Sequence, residues 1–275
     1  FAVWGGALPQ IDEISAEQAD HLAYNPSVSG IALNFNRVHL DWKSGGADLS
    51  MQARAARHSP RAYSVSAAAV GQGPLFTWHE DGAREVWQVN RAGLKNRGSR
   101  WLPVRRPELY AGDVFQTLCR AEGLALPAPQ IITDLPQDVV EIARIDSPPL
   151  TEILRGMMEY STNLTAEMVG LQASGGADLV GSAKAMQAWA EARGIPALDL
   201  RDHSGMSPDT RVTARAMAQV IATLGGQAGL RGLMKHVPLL PAKGGAAPDA
   251  LLLEAKTGTL NFVSNLAGYG SIPGR

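Results

Sequence analysis

Apolar and polar residues alternate along two stretches in the first hundred positions, residues 31–42 and 85–89. Alternation with a period of two places successive side chains on opposite faces of a half-buried strand. Residues 101–104 are also predicted to be extended, and residues 90–98 to form turns. We therefore predict that residues 1–106 form a β-rich domain.

Helical periodicity replaces this alternation from Pro107 onwards. Pro107 suits the first turn of a helix through Glu122, and Gly123 suits its end. Further helices are predicted over residues 147–159, 164–173, 182–193 and 213–224, the last with Thr213 as its N-cap. Gly175 is predicted to end the helix over residues 164–173, and Gly194 the helix over residues 182–193. A short strand is predicted over residues 139–145. The chain is thus predicted to be an α+β protein whose second part covers residues 107–275.

The C-terminal part returns to strand. A loop over residues 238–245 leads to the apolar run 250–253, which predicts a buried strand, and residues 263–269 predict a second one. Lys256, Thr257, Gly258 and Thr259 are expected at the edge of this hairpin. An ammonium group, two hydroxyls and a glycine that permits close approach suit the binding of a carboxylate. A Lys-Thr-Gly tripeptide is common by chance, so this interpretation depends on the rest of the chain.

A second polar cluster, Ser161, Thr162 and Asn163, lies at the break between two predicted helices. These side chains favour local hydrogen bonds over helix continuation, so they predict a turn. On its own, Asn163 is explained as the N-cap of the next helix, with Glu167 close to the capping-box position. However, a Ser-x-Asn that precedes a Lys-Thr-Gly has the order found in penicillin-binding proteins and class A β-lactamases.

The segments around both motifs resemble the D-alanyl-D-alanine carboxypeptidases of the class C low-molecular-mass penicillin-binding protein type (peptidase S13 type). Residues 202–207, Asp-His-Ser-Gly-Met-Ser, are similar to that family's Asp-x-Ser-Gly-Leu-Ser stretch. The other similar segments are residues 25–38, 147–154, 160–167, 211–214 and 256–269. The resemblance implies part of a β-lactamase/transpeptidase-like domain at residues 107–275, with residues 1–106 as a domain inserted in it.

One motif of that family is missing. In the family, a Ser-x-x-Lys before the inserted domain supplies the nucleophile and its base, but no serine of this chain has lysine three positions later. Ser182 and Lys184 have the wrong spacing. We therefore expect the middle and C-terminal portion of a longer enzyme, incomplete at both ends and inactive alone. The alternative is a natural derivative without a nucleophile that acts as a binding module.

The resemblance implies a serine-type carboxypeptidase or endopeptidase that cleaves between two D-alanines of a peptidoglycan stem peptide through an acyl-enzyme. Ser161 would pass a proton to the leaving amine. Asn163 would bind the substrate amide, and Lys256 would support Ser161 and attract the terminal carboxylate. The remaining substrate-binding positions would be Thr257, Gly258 and Thr259, with the Thr259 N–H as half of an oxyanion hole. β-Lactam antibiotics would inhibit the whole enzyme.

Composition limits the other possibilities. The net charge of −1 shows no basic excess, so nucleic acid is not a predicted partner. Cys119 is the only cysteine and the six histidines show no metal-binding spacing, so neither a metal site nor a cofactor is predicted. His203 is interpreted as a loop residue, because sequence neighbours such as Asp202 and Ser204 cannot assemble a triad with it.

The sequence leaves the location and the class of function less well determined than the fold. No apolar run approaches the ~20 residues of a membrane span, and no signal peptide is recognisable. A periplasmic or cell-envelope location is therefore expected from the resemblance alone. The competing functions are a non-catalytic scaffold that binds peptidoglycan or β-lactams, and a β-lactamase-like hydrolase.

Overall fold

The computed structural model describes residues 1–82, 84–195, 198–226, 228–239, 251–261 and 263–272. The strands are β1 Ala2–Trp4, β2 Arg37–Lys43, β3 Asp48–Gln52, β4 Val65–Val70, β5 Phe76–Asp81, β6 Arg84–Asn90, β7 Gly98–Pro103, β8 Gln130–Ile132, β9 Leu198–Asp199, β10 Arg211–Val212, β11 Lys235–His236, β12 Leu252–Leu260 and β13 Val263–Ser271. The α-helices are α1 Pro107–Ala121, α2 Leu150–Tyr160, α3 Asn163–Ser174, α4 Leu179–Glu191 and α5 Ala214–Thr223. This mixture of helices and sheets confirms the predicted α+β class.

The chain divides into two compact units, one with Phe1–Ala143 and Glu167–Asp178, the other with Arg144–Ala166 and Leu179–Arg275. The division into an inserted domain at 1–106 and a transpeptidase-like portion at 107–275 stays a prediction.

Two three-stranded sheets form the core of the first unit. One has the order β3-β2-β7 and is antiparallel; the other has the order β4-β6-β5, with β4 parallel to β6. Alternation along β2 buries Val38 and Leu40 completely. Tyr110 and Val114 of α1 join the same apolar cluster as these residues. The apolar positions of the alternating pattern therefore reach this core, and helix α1 completes it. His39 between them is buried as well, so this part of β2 is covered on both faces and is not the half-buried strand that was predicted.

In the second unit, β11, β12 and β13 form an antiparallel sheet. The register pairs Lys256 with Ala267 and Gly258 with Asn265. Helix α5 lies against this sheet, and the Tyr269 hydroxyl donates to the Ile221 carbonyl at 3.1 Å. Residues 256–259 therefore lie on β12 and pair with β13, the next strand along the chain.

Local stop signals predicted the helices well. Gly123, Gly175 and Gly194 all have positive φ just after a helix, which glycine adopts without a steric cost. The Thr213 hydroxyl accepts from the Ala216 amide at 3.1 Å, as its predicted capping role requires. Helix α4 begins three residues earlier than predicted.

One predicted strand is absent and another is shorter than predicted. Residues 139–145 form no strand, and Ile142 and Ile145 are each 97% exposed. Within the described ranges, the strand of this connecting segment is β8, which pairs with β1. Hydrophobic alternation alone supplies no hydrogen-bonding partner. The strand predicted from residue 31 begins only at Arg37, because residues 34–36 have positive φ and belong to a left-handed turn.

The C-terminal hairpin also differs from expectation. Strand β12 runs from Leu252 to Leu260 and so extends well beyond the predicted run 250–253. Residues 256–259 lie in this strand and, among the described residues, pair with β13 alone, because β11 pairs with Glu254 and Ala255. Strand β13 confirms the second predicted strand and extends it to Ser271. Residues 240–250, which include most of the predicted loop and the first residue of the apolar run, lie outside the described residues.

Candidate active site

The turn between α2 and α3 carries the Ser-x-Asn motif. Ser161 ends α2 in a left-handed conformation, with φ 56° and ψ 51°. Helix α3 begins at Asn163, and the Thr162 carbonyl accepts its first helical bond from Ala166 at 3.2 Å. Thr162 therefore occupies the N-cap position, and the interpretation of Asn163 as that cap is wrong.

The left-handed conformation of Ser161 is unfavourable for an L-residue, at a cost of roughly 1–2 kcal/mol. Helices usually end in this conformation with glycine. A serine here keeps a hydroxyl at a position where the backbone would favour glycine, and such exceptions cluster at functional sites. This conformation was not foreseen from the sequence, which predicted only a turn.

Lys256 reaches this hydroxyl from β12. Its Nζ donates to Ser161 Oγ at 2.7 Å and also to the Thr257 carbonyl. Partial burial lowers the pKa of Lys256, and the positive charge of Lys235 lowers it further. The structure thus brings together the two motifs that the sequence placed far apart, through a charge-assisted hydrogen bond.

Lys235 is a second cation in this region that sequence reasoning missed. It lies on β11 opposite Ala255, and its Nζ is 3.4 Å from the Glu159 carbonyl near the end of α2. A cation is favourable at a helix C-terminus, where carbonyl groups lack helical partners. No motif in the sequence marks Lys235, because only the sheet register brings it close.

Asn163 faces a different neighbour. Its Nδ2 donates to the Met206 Sδ at 2.8 Å, and Met206 is only 2% exposed. Met206 lies in the loop that follows β9. The contact between Asn163 and this loop was not foreseen, although both segments carry the family resemblance.

Asp202 and His203 organise the same loop. The Asp202 carboxylate accepts from the Gly205 amide at 2.6 Å and from the Ser207 amide at 2.5 Å. His203 Nε2 lies 2.6 Å from the hydroxyl of the buried Ser182 on α4. Burial lowers the pKa of His203, and the nearby Asp202 opposes that shift. The Asp202 carboxylate thus accepts from backbone amides of its own loop. His203 lies in the same loop, outside the helices and strands, which agrees with its interpretation as a loop residue.

The remaining predicted residues continue along β12. Thr257 and Gly258 are half-buried and Thr259 is exposed. A Cβ added at Gly258 would meet its nearest neighbour, the Asn265 Cβ, only at 3.8 Å. Protein packing therefore leaves room for a side chain at Gly258, so the fold does not require glycine there.

The described residues also bear on metal binding and on membrane insertion. Within the described ranges, no group of three or more His, Cys, Asp or Glu side chains could hold a metal ion. In the same part of the chain, no helix combines the length and apolar character needed to cross a membrane.

A model of the D-Ala-D-Ala carboxypeptidase 3 (S13) family matches residues 20–273. The chain belongs to this family. Among curated relatives, this S13 chain is 32% identical over 186 residues to Carboxypeptidase Rv3627c of Mycobacterium tuberculosis (strain ATCC 25618 / H37Rv). The aligned region covers 60% of this chain and 39% of the relative. It is 28% identical over 193 residues to the D-alanyl-D-alanine carboxypeptidase of Actinomadura sp. (strain R39), and this aligned region covers 62% of this chain and 35% of the relative. The S13 chain therefore spans about two fifths or less of the length of these relatives.

The fold of the S13 chain matches a solved structure of penicillin binding protein 4 (dacB) from Haemophilus influenzae. The TM-score is 0.67 at 18% identity, over 97% of this chain and 64% of the other. A structure of the same Haemophilus protein complexed with a novel β-lactam gives a TM-score of 0.63 at 19% identity, over 87% of this chain and 59% of the other. At this identity the likeness concerns the fold.

Proposed function

We propose that this chain is part of a serine-type D-Ala-D-Ala carboxypeptidase or endopeptidase that acts on peptidoglycan stem peptides. The observation that carries the proposal is the 2.7 Å hydrogen bond from Lys256 Nζ to Ser161 Oγ. In a member of the S13 family, this contact unites the Ser-x-Asn and Lys-Thr-Gly motifs at one site.

The roles of the three catalytic residues follow from their chemistry. The Ser161 hydroxyl donates and accepts at once, so it passes a proton from the nucleophile to the leaving amine. Lys256 supplies a positive charge that orients this hydroxyl and attracts the terminal carboxylate of the substrate. Asn163 offers a carboxamide, which binds the substrate amide.

Substrate binding continues along β12. The Thr257 and Thr259 hydroxyls bind the substrate carboxylate, and the Thr259 N–H donates to the oxyanion that forms during acyl transfer. Gly258 leaves the backbone accessible between them. The space around Gly258 supports this assignment, because among the described residues only the Asn265 Cβ comes within 4 Å of a Cβ added there.

The nucleophile belongs to a Ser-x-x-Lys motif in a part of the gene product outside these 275 residues, and the chain by itself is inactive. Residues 1–106 form a domain inserted in the transpeptidase-like fold to which residues 107–275 belong. β-Lactams acylate the complete enzyme; a complex of the Haemophilus relative with a β-lactam supports this. The enzyme acts in the periplasm or cell envelope, where stem peptides occur.

The test uses the full-length gene product and two assays, covalent labelling by a fluorescent penicillin and release of D-alanine from a stem pentapeptide. We expect both signals in the wild type. Lys256→Met should lower both by about 100-fold or more, within the range of a lost general acid–base or electrostatic contribution. Lys184→Met, at an exposed position of α4, is the matched control and should leave both unchanged.

Three results would contradict the proposal. A full-length protein that neither binds penicillin covalently nor releases D-alanine would be a non-catalytic scaffold. Rapid turnover of the β-lactam with no action on the pentapeptide would indicate a β-lactamase-like hydrolase. Equal activity of Lys256→Met and the wild type would remove Lys256 from the site.

A further inference from the structure

The loop at residues 202–207 is held more tightly than its lack of regular structure suggests. The buried Asp202 carboxylate accepts from the amides of Gly205 and Ser207, the residues on each side of Met206. Bonds to an ionised carboxylate are roughly twice as strong as bonds between neutral groups. The peptide groups that flank Met206 are therefore fixed, and with them the direction in which its Cα–Cβ bond leaves the loop.

Met206 uses this fixed position to meet Asn163. The 2.8 Å contact joins the Asn163 Nδ2 to the Met206 sulfur, and the methionine is 2% exposed. A carboxamide turned by 180° exchanges its donor and acceptor ends with little change in shape. A sulfur acceptor at the donor end selects one of these two orientations.

We propose that Met206, held by Asp202, is a positioning residue for Asn163 and fixes which end of its carboxamide faces the substrate. This inference rests on the proposed function, in which Asn163 binds the substrate amide. The sulfur acceptor is what distinguishes Met206 from an apolar side chain of similar size. A leucine fills the same volume but offers no acceptor, whereas a thioether is a weak one.

Two substitutions in the full-length protein separate the acceptor from the volume. Met206→Leu removes the sulfur and keeps an apolar side chain of similar size, while Met206→Gln keeps an acceptor at a similar distance along the chain. Met217→Leu on α5, where the methionine is 38% exposed, is the matched control. The measurements are the second-order rate of acylation by a labelled penicillin and the midpoint of thermal unfolding.

We expect Met206→Leu to slow acylation about tenfold, because a misplaced binding group raises the barrier for the bound substrate. Its unfolding midpoint should stay within about 2 °C of the wild type, since the core volume is conserved. Met206→Gln should recover most of the rate. In addition, the side-chain NH₂ signals of Asn163 in a ¹⁵N spectrum should move in Met206→Leu and not in Met217→Leu.

The inference is overturned if Met206→Leu reacts at the wild-type rate, or if Met206→Gln reacts no faster than Met206→Leu. A rate loss accompanied by a large fall in the unfolding midpoint would make Met206 a packing residue only. A wild-type protein that forms no covalent adduct would overturn the proposed function and this inference together. A reactive wild type with an unaffected Met206→Leu would overturn the inference alone.

Discussion

Ser161 allows the cost of its backbone conformation to be measured separately from the value of its hydroxyl. With φ 56° and ψ 51°, the residue lies in the left-handed region, which costs an L-residue roughly 1–2 kcal/mol. Ser161→Ala keeps this backbone cost and removes the hydroxyl that accepts from Lys256. Ser161→Gly removes both the hydroxyl and the backbone cost.

The difference between the two variants therefore isolates the backbone contribution. Glycine regains the 1–2 kcal/mol but loses about 0.4–1 kcal/mol through the greater freedom of the unfolded chain. Ser161→Gly should thus be more stable than Ser161→Ala by about 1 kcal/mol. For a domain of this size, that corresponds to a rise of about 2–4 °C in the midpoint of thermal unfolding.

Activity should follow the hydroxyl and not the stability. Both variants lack the hydroxyl that we propose transfers the proton, so both should acylate with penicillin about 100-fold or more slowly than the wild type. The assay is thermal unfolding together with the acylation rate, on the full-length protein. Equal unfolding midpoints for the two variants would refute the backbone argument, and rapid acylation by either would refute the role of the hydroxyl.

Three further predictions concern charge and packing. Lys235→Gln removes a positive charge that lowers the pKa of Lys256, so the alkaline limb of the acylation–pH profile should move to higher pH, whereas Lys235→Arg should leave it in place. Burial lowers the pKa of His203 below 6.5, so the folded state binds this proton less readily than the unfolded state; stability should fall as the pH drops below about 6.5, and His203→Gln should weaken that dependence in unfolding measurements. Gly268→Ala would place a Cβ 2.2 Å from a carbonyl oxygen of β12 and should lower the unfolding midpoint by about 5 °C or more, while Gly258→Ala should unfold like the wild type and acylate more slowly. A pH profile unmoved by Lys235→Gln, a pH dependence unchanged in His203→Gln, or similar unfolding midpoints for the two glycine variants would contradict the respective argument.

The parts of the fold predicted from the sequence are those with local causes. The helix ends predicted at Gly123, Gly175 and Gly194 were correct because glycine itself, whatever its distant neighbours, adopts positive φ without a steric cost. The strand predicted at 139–145 failed because a strand needs a partner, and the partner is set by distant parts of the chain. The same reason explains why β8, which pairs with β1, was not foreseen.

The candidate site shows the same division. The resemblance carried by the two motifs implied that Lys256 supports Ser161, and the structure places the two side chains in contact. No motif marks Lys235, and Met206 lies in the family-like stretch 202–207 without a role implied by the sequence. The register of β11 on β12 and the Asp202 loop bring these two residues to the site. Residues that act through neighbours are recognised only when the distances are known.

Stability considerations support a functional interpretation of this site independently of the motifs. Ser161 has an unfavourable backbone conformation where glycine would relieve it, and Lys256 is partly desolvated with a like charge nearby. The backbone conformation of Ser161 costs free energy that a merely structural turn would avoid with glycine. The two features, this conformation and the lowered pKa of Lys256, fall on the two ends of one 2.7 Å hydrogen bond. Because unfavourable conformations and shifted pKa values cluster at functional sites, we infer that selection retained this bond for reactivity and not for the stability of the fold.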